Sequence, residues 1–313
     1  MKKIVFLDEY SIAGRDISAI ASQGEYVAYE FTRKEEVVEC LKDADIAITN
    51  KIVIDGEAMR QLPRLKLICI AATGMNNVDL NAAAELGIEV RNAVGYSTTS
   101  VAETTLASAL ALARNIVYFD EYFHDGRYAA ANRPFCFDRM TSEIRGKKWG
   151  IVGLGNIGRE VARLASAFGC EVSYFSTSGA KREEEYPAVE LEQLLKESDI
   201  VSVHSPLNER TRGLIGAEQL AMMKPSAFII NVARGGIIDE AALAEALDNG
   251  TIAAAALDVF STEPLASSPL YDIKDRYRLL ASPHNAWAAA EAIDRLLGCV
   301  AENIRVWMAK QSC

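Results

Sequence analysis

The run Gly153-Leu154-Gly155-Asn156-Ile157-Gly158 follows the apolar segment 149–152 directly and leads into a helical pattern from Arg159 to Phe168. The context gives the spacing its meaning, because each of the three glycines in a strand-turn-helix meets a different physical demand. Gly153 permits the tight turn, Gly155 lets a backbone approach a pyrophosphate, and Gly158 lets the helix lie close on the sheet. Free N–H groups at the helix start, around Asn156 and Ile157, face the anion. The reading is a dinucleotide site; its alternative is a tight βα turn with no ligand. A site for NAD places Asp or Glu at the end of the second strand to bond the adenosine ribose. Here the second strand, 171–175, ends in Ser176-Thr177-Ser178-Gly179 with Lys181 and Arg182 beyond, and Glu171 comes too early to serve. Hydroxyls and basic groups suit a 2′-phosphate, so the pattern favours NADP, with NAD held less tightly as the alternative.

Working outward, short β-type runs alternate with longer helix-period segments along the whole chain, the pattern of parallel sheets covered on both faces by helices. The first series of strand candidates is 3–7, 26–30, 45–49, 66–71 and 88–90, and the second is 149–152, 171–175, 199–203, 227–231, 253–258 and 278–281. The fold class is α/β. Ala44-Asp45-Ile46-Ala47-Ile48 and Ser198-Asp199-Ile200-Val201-Ser202 weakly echo each other at equivalent places in the two series. A long apolar helix is expected over 99–117, a segment without clear period over 124–145, and an amphipathic helix from after Trp287 to about Met308.

With 313 residues, half of them hydrophobic, the chain has room for two domains with separate cores. A formal charge of -10 with no basic run disfavours nucleic acid and anionic membrane surfaces as partners. The six scattered cysteines, Cys40, Cys69, Cys136, Cys170, Cys299 and Cys313, show neither a Cys-x-x-Cys pair nor zinc-type spacing with histidine, so reduced thiols, no metal and a cytoplasmic location are expected. The opening Met-Lys-Lys-Ile-Val-Phe-Leu is cut short by Asp8 and Glu9, which reads as a first strand rather than a secretory leader, and no apolar run is long enough to span a bilayer.

Only His124, His204 and His284 are available as a general acid near neutral pH. His284 lies in Ser282-Pro283-His284-Asn285-Ala286-Trp287, just past a strand end, where open α/β sheets bind ligands. Asp258-Val259-Phe260-Ser261-Thr262-Glu263-Pro264 and Asn231-Val232-Ala233-Arg234-Gly235-Gly236 leave two other strands of the same half in the same way. Arg234, Glu263 and His284 together suit ketone reduction or its reverse. The imidazole gives a proton to the carbonyl oxygen, the guanidinium holds that oxygen and a neighbouring carboxylate, and Glu263 stabilises the imidazolium and fixes its orientation. Each residue taken singly also has a bland reading: a surface ion pair for Arg234, a solvated turn for Glu263, and a structural or cofactor-side role for His204.

Taken together these segments resemble the D-isomer-specific 2-hydroxyacid dehydrogenases over nearly the whole chain. The resemblance also includes Ala72-Thr73-Gly74-Met75-Asn76-Asn77-Val78-Asp79, Val101-Ala102-Glu103 and His204-Ser205-Pro206-Leu207. It implies Arg234, Glu263 and His284 as the catalytic triad, backbone around Thr73 and Gly74 holding the substrate carboxylate with Arg234 and His284, and Asp258 at the nicotinamide carboxamide. Cofactor contacts carried over with it include Ser176, Thr177, Ser178, His204, Pro206, Val232, Ala233 and His284 beside the glycine turn. Glu263 stands where formate dehydrogenases carry Gln, which disfavours formate, and Ser176 departs from the Asp of NAD-dependent members.

The family plan implies two Rossmann-like or flavodoxin-like domains with parallel sheets. A substrate-binding domain of 1–98 plus 288–313 surrounds an inserted dinucleotide domain of 99–287, and homodimers form with help from the region between Thr99 and Arg145. The expected activity is NADP- or NAD-dependent reduction of a small 2-keto acid, most like hydroxypyruvate or glyoxylate, giving D-glycerate or glycolate. D-lactate, 3-phosphoglycerate and a dinucleotide-sensing corepressor that binds partner proteins are the alternatives.

Overall fold

The computed structural model describes residues 1–179 and 183–311. Lys181, Arg182 and Cys313 from the sequence reading lie outside the described residues. The chain divides into two compact units, Met1–Ser97 with the C-terminal segment from Ala288, and Thr98–Trp287.

The first unit is built on β1 (Lys3–Phe6), β2 (Glu25–Ala28), β3 (Ile46–Thr49), β4 (Leu67–Ile70) and β5 (Glu89–Asn92), in the order β2-β1-β3-β4-β5. Every pairing is parallel. β3 (Ile-Ala-Ile-Thr) and β4 (Leu-Ile-Cys-Ile) are buried along their full length, as continuous apolar runs must be when both faces of a sheet are covered. β2 and β5, at the edges, are only part-buried. The helix Ala290–Gln311 buries Ile293, Leu296, Leu297, Val300, Ile304 and Trp307, a helix-period stripe. It is fixed to β5 by Asn303, whose Nδ2 donates to the Asn92 carbonyl at 3.0 Å while its own carbonyl accepts from Arg91 Nη1 at 3.0 Å.

The second unit holds β6 (Lys148–Val152), β7 (Glu171–Phe175), β8 (Ile200–Val203), β9 (Phe228–Asn231), β10 (Ala254–Leu257) and β11 (Leu279–Ala281), in the order β11-β10-β9-β8-β6-β7. These pairings are also all parallel. A single parallel bridge from Tyr174 to Ala188 adds a vestigial strand outside β7. Counting it, the chain runs from β6 outward one way through β7, then returns to the other side of β6 and continues from β8 to β11. The crevice beyond the carboxyl ends of β6 and β8 is therefore a topological switch point, where doubly wound sheets bind ligands. Strand alternation splits the core into two layers: Ile151 and Ile230 join Trp149 and Val161 on one face, while Val152 and Ile229 join Leu194 and Leu243 on the other. Full burial of such side chains contributes about 1.5–3 kcal/mol each. The one polar atom that Trp149 carries inward, Nε1, donates to Ser202 Oγ at 2.8 Å.

The echo between the two series has a structural basis. Asp45, just before β3, accepts the N–H of Lys3 at 2.9 Å, and Asp199, just before β8, accepts the N–H of Lys148 at 2.9 Å. Each carboxylate thus ties the start of one strand to the start of its neighbour in a 2-1-3-ordered sheet.

Two expectations need correction. The single helix over 99–117 is two helices, Thr98–Arg114 and Ile116–His124, because Asn115 adopts a left-handed φ of 49° and its Nδ2 donates to the Met140 carbonyl; asparagine tolerates that conformation better than most residues. The segment without clear period contains the short helix Arg127–Ala131. The five described cysteines are free thiols. Among the described residues no helix is long and apolar enough to cross a membrane, and no group of three or more His, Cys, Asp or Glu residues is placed to hold a metal.

Candidate active site

The glycine turn lies at the end of β6. Gly153 sits at φ 95°, and its N–H donates to the Phe175 carbonyl at 2.9 Å, which brings the end of β7 and hence Ser176 beside it. A Cβ on Gly158 would overlap the Gly153 carbonyl oxygen, so that glycine is required by packing. Gly155 differs. Its φ of -86° suits any residue, and a Cβ there would meet no protein atom within 4 Å. Neither conformation nor internal packing demands glycine at 155; close approach of a ligand would. The helix Asn156–Ala167 begins at once, three residues earlier than its pattern suggested, and Gly155 offers no side chain to cap it. The first amides, of Asn156, Ile157 and Gly158, are the donors an anion would use.

The loop after β8 completes this side. A Cβ on Gly153 would lie 3.0 Å from Ser205. Both ring nitrogens of His204 and the Ser205 hydroxyl are sealed from solvent without a hydrogen-bond partner among the described residues, and burial pushes the His204 pKa down to about 3. A neutral imidazole with two unanswered nitrogens beside the glycine turn fits a site completed by a polar ligand. The lowered pKa disfavours His204 as a general acid near neutral pH. Pro206 is held through its carbonyl, which accepts from Thr211 Oγ1 at 2.6 Å. After β7, Ser176 Oγ and Ser178 Oγ are 3.4 Å apart. Arg210, which the sequence reading did not single out, reaches the Ser178 carbonyl with Nη1 at 3.2 Å.

The catalytic candidates leave three adjacent strands. Arg234 follows β9, Glu263 follows β10 and His284 follows β11, and β10 lies between the other two. His284 Nδ1 and Glu263 Oε2 are 2.6 Å apart, and Glu263 Oε1 accepts the Phe260 N–H at 3.0 Å, so the carboxylate is anchored before it orients the ring. His284 adopts φ 56°, a left-handed conformation that a side chain other than glycine takes only when its surroundings enforce it. Asp258, 2% exposed, enforces it. Its carbonyl accepts the His284 N–H at 2.8 Å, and its carboxylate accepts Ser282 Oγ at 2.6 Å, the Asn285 N–H at 2.8 Å and the Ala286 N–H at 2.9 Å. Three of the roughly four acceptor positions of that carboxylate are thus used on the His284 loop.

Arg234 is held more loosely: Nη1 donates to the Ala233 carbonyl at 2.7 Å, while Asn231 clasps the turn through the Ala233 N–H and the Arg234 carbonyl. Val232 is buried below it. Next to Arg234, a Cβ on Gly235 would overlap the Phe260 backbone, so the β9 and β10 loops touch there. Thr73 and Gly74 belong to the first unit, after β4; Thr73 Oγ1 donates to the Ala93 carbonyl at 3.0 Å, and its own carbonyl accepts from Asn92 Nδ2 at 2.7 Å.

A family model describing the NAD-binding domain of D-isomer-specific 2-hydroxyacid dehydrogenases matches residues 106–286. The chain belongs to that family. It is 38% identical to glycerate dehydrogenase of Methylorubrum extorquens over 98% of this chain and 96% of that one. It is 35% identical to hydroxypyruvate reductase of Blautia hydrogenotrophica, over 98% and 97%. Among solved structures, it matches the NADPH-dependent glyoxylate/hydroxypyruvate reductase of Sinorhizobium meliloti, seen with NADP and malonate, at a TM-score of 0.84 and 26% identity over 98% and 93%. As a D-2-hydroxyacid dehydrogenase the protein is an oxidoreductase that uses a nicotinamide dinucleotide. The corepressor alternative is not favoured, since these relatives, alike along their whole length, are named for dehydrogenase and reductase activity.

Proposed function

We propose that the protein reduces hydroxypyruvate and glyoxylate to D-glycerate and glycolate, with NADPH preferred to NADH and His284 as the acid. The observation that carries this reading is the 2.6 Å pairing of His284 Nδ1 with Glu263 at the end of a strand beside the one that delivers Arg234. With Nδ1–H held by the carboxylate, Nε2 is the ring nitrogen that carries the exchangeable proton, and the anchored Glu263 keeps the ring from turning. Arg234 takes the substrate carboxylate, and its guanidinium polarises the adjacent carbonyl. A nicotinamide dinucleotide held through its pyrophosphate at the glycine turn would, in its reduced form, supply the hydride for the carbonyl carbon. His284 gives its proton to the oxygen, so C=O becomes CH–OH, and in the reverse direction it takes that proton back. The remaining acceptor position of Asp258 is available to the nicotinamide carboxamide.

Ser176, Thr177 and Ser178 in place of an acid support the NADP preference. A cytoplasmic homodimer completes the reading, and D-lactate and 3-phosphoglycerate remain the competing products. The test is a panel of 2-keto acids assayed with both cofactors. Hydroxypyruvate and glyoxylate with NADPH are expected to give the highest kcat/KM, and His284→Gln is expected to lower kcat by about 100- to 10,000-fold with dinucleotide affinity retained. Tight NADPH binding with no turnover of any 2-keto acid would sink the reading.

A further inference from the structure

We propose that Arg210 is a specificity-determining residue that binds the 2′-phosphate of NADP, supplying from the β8 loop the cation that an adenosine-side site needs beside the β7 loop. This rests on the reading that NADP is the preferred cofactor. The turn after β7 offers hydroxyls at Ser176, Thr177 and Ser178, but a phosphate near dianionic at neutral pH also requires positive charge in a protein whose net charge is -10. Arg210 is thirty-odd residues further along the chain, yet its Nη1 lies 3.2 Å from the Ser178 carbonyl, and a Cβ on Gly179 would be 4.0 Å from the same atom.

The loop around Arg210 is rigidly anchored. The Arg210 N–H donates to Asn208 Oδ1 at 2.9 Å and the Arg212 N–H to the Asn208 carbonyl at 2.9 Å. The fully buried Thr211 accepts the Asn208 N–H and donates to Pro206. The guanidinium itself makes that single bond to Ser178 and pairs with no carboxylate among the described residues, which leaves most of its five donors for a ligand. Glu184, a few residues beyond the turn, is ion-paired with Arg159, with Nε at 3.0 Å. A planar guanidinium held against the backbone of a turn that carries two hydroxyls 3.4 Å apart is an arrangement suited to phosphate recognition.

The experiment is calorimetric titration of the full-length protein with 2′,5′-ADP and with 5′-ADP, in the native chain and in Arg210→Gln, with Arg210→Lys as a partial-rescue control. The native chain is expected to bind 2′,5′-ADP more tightly, and Arg210→Gln to weaken 2′,5′-ADP by about 10- to 100-fold, as loss of a charge-assisted bond requires, with 5′-ADP affinity held within about twofold. If the native chain discriminates and Arg210→Gln discriminates equally well, Arg210 is not the reader and the NADP preference stands. Equal weakening of both ligands would reduce Arg210 to a brace for the Ser176–Ser178 turn and overturn its role. If the native chain does not discriminate at all, the NADP reading falls and this inference with it.

Discussion

His204 shows how a single buried side chain couples the site to stability. Its ring nitrogens are out of contact with water, and burial holds its pKa at about 3, well below the 6.5 of a free imidazole. The depressed folded-state value means that the unfolded chain binds the proton more readily between those limits. The stability contribution is therefore intact above pH 6.5, is lost progressively as pH falls, and levels off below about 3, with a limiting slope of about 1.4 kcal/mol per pH unit. His204→Phe removes the group while keeping a flat ring. Urea midpoints at pH 7.5, 6.5 and 5.5 are expected to fall less steeply for His204→Phe than for the native chain; parallel curves would show that the imidazole is not responsible. At this scale the sequence was informative wherever chemistry is scarce: of three histidines two follow strands, and His284 stood out because the loop leaving the strand before its own carries an acid, Glu263, that could be paired with it. It was silent on Asp258 as organiser of the His284 loop, because an aspartate at a strand end carries no signature of the amides 27 and 28 residues on that its oxygens accept from.

Among elements, the decisive contact is between loops. The β9 and β10 loops approach so closely at Gly235 that any Cβ must push against the Phe260 backbone, and Phe260 in turn anchors Glu263 through its N–H. Gly235→Ala is thus expected to displace Arg234 relative to Glu263 and His284. A shift approaching 1 Å at a reacting centre costs up to about 100-fold, so kcat/KM should fall by that order. Binding of 5′-ADP, which depends on the β6 and β7 turns, should change by less than about twofold. Steady-state kinetics alongside the titration decide it, and unaltered kcat/KM would mean that the loops yield without moving the triad. Strand positions were legible to within one or two residues because most are short apolar runs bounded by polar residues; β5, Glu-Val-Arg-Asn, is the exception. The helix break at Asn115 was not, since Ile116 and Val117 continue the apolar pattern although they are 52% and 42% exposed. Arg210 escaped notice for a related reason: its neighbour is set by strand order, which brings the β7 and β8 loops to the same edge on either side of β6, and not by distance along the chain.

For the molecule as a whole, those exposed apolar residues belong to a larger surface. Ile116, Phe123, Phe135, Phe137 and Met140 are all more than half exposed, with Phe137 at 75%. The segment that carries them is held in place within its own unit: Arg139 lies 4.9 Å from the ring centres of both Tyr118 and Tyr277 and is ion-paired with Asp275, and Arg127 stacks over Tyr118 and Tyr122. A contiguous aromatic patch fixed by cation–π contacts rather than free to collapse is poorly suited to water and well suited to a second copy of the same surface. The homodimer proposed above would cover it, which gives the dimer a physical cause independent of resemblance. Phe137→Asp places a charge in the centre of such a contact and is expected to shift the protein from dimer to monomer at micromolar concentration in sedimentation equilibrium. The Arg139–Asp275 link, which does not involve the Phe137 side chain, should keep the segment in place and the unit folded, as circular dichroism would report. A native chain that sediments as a monomer at every concentration, or a Phe137→Asp dimer as tight as the native one, would remove this patch from the interface and leave its exposed aromatics without a partner.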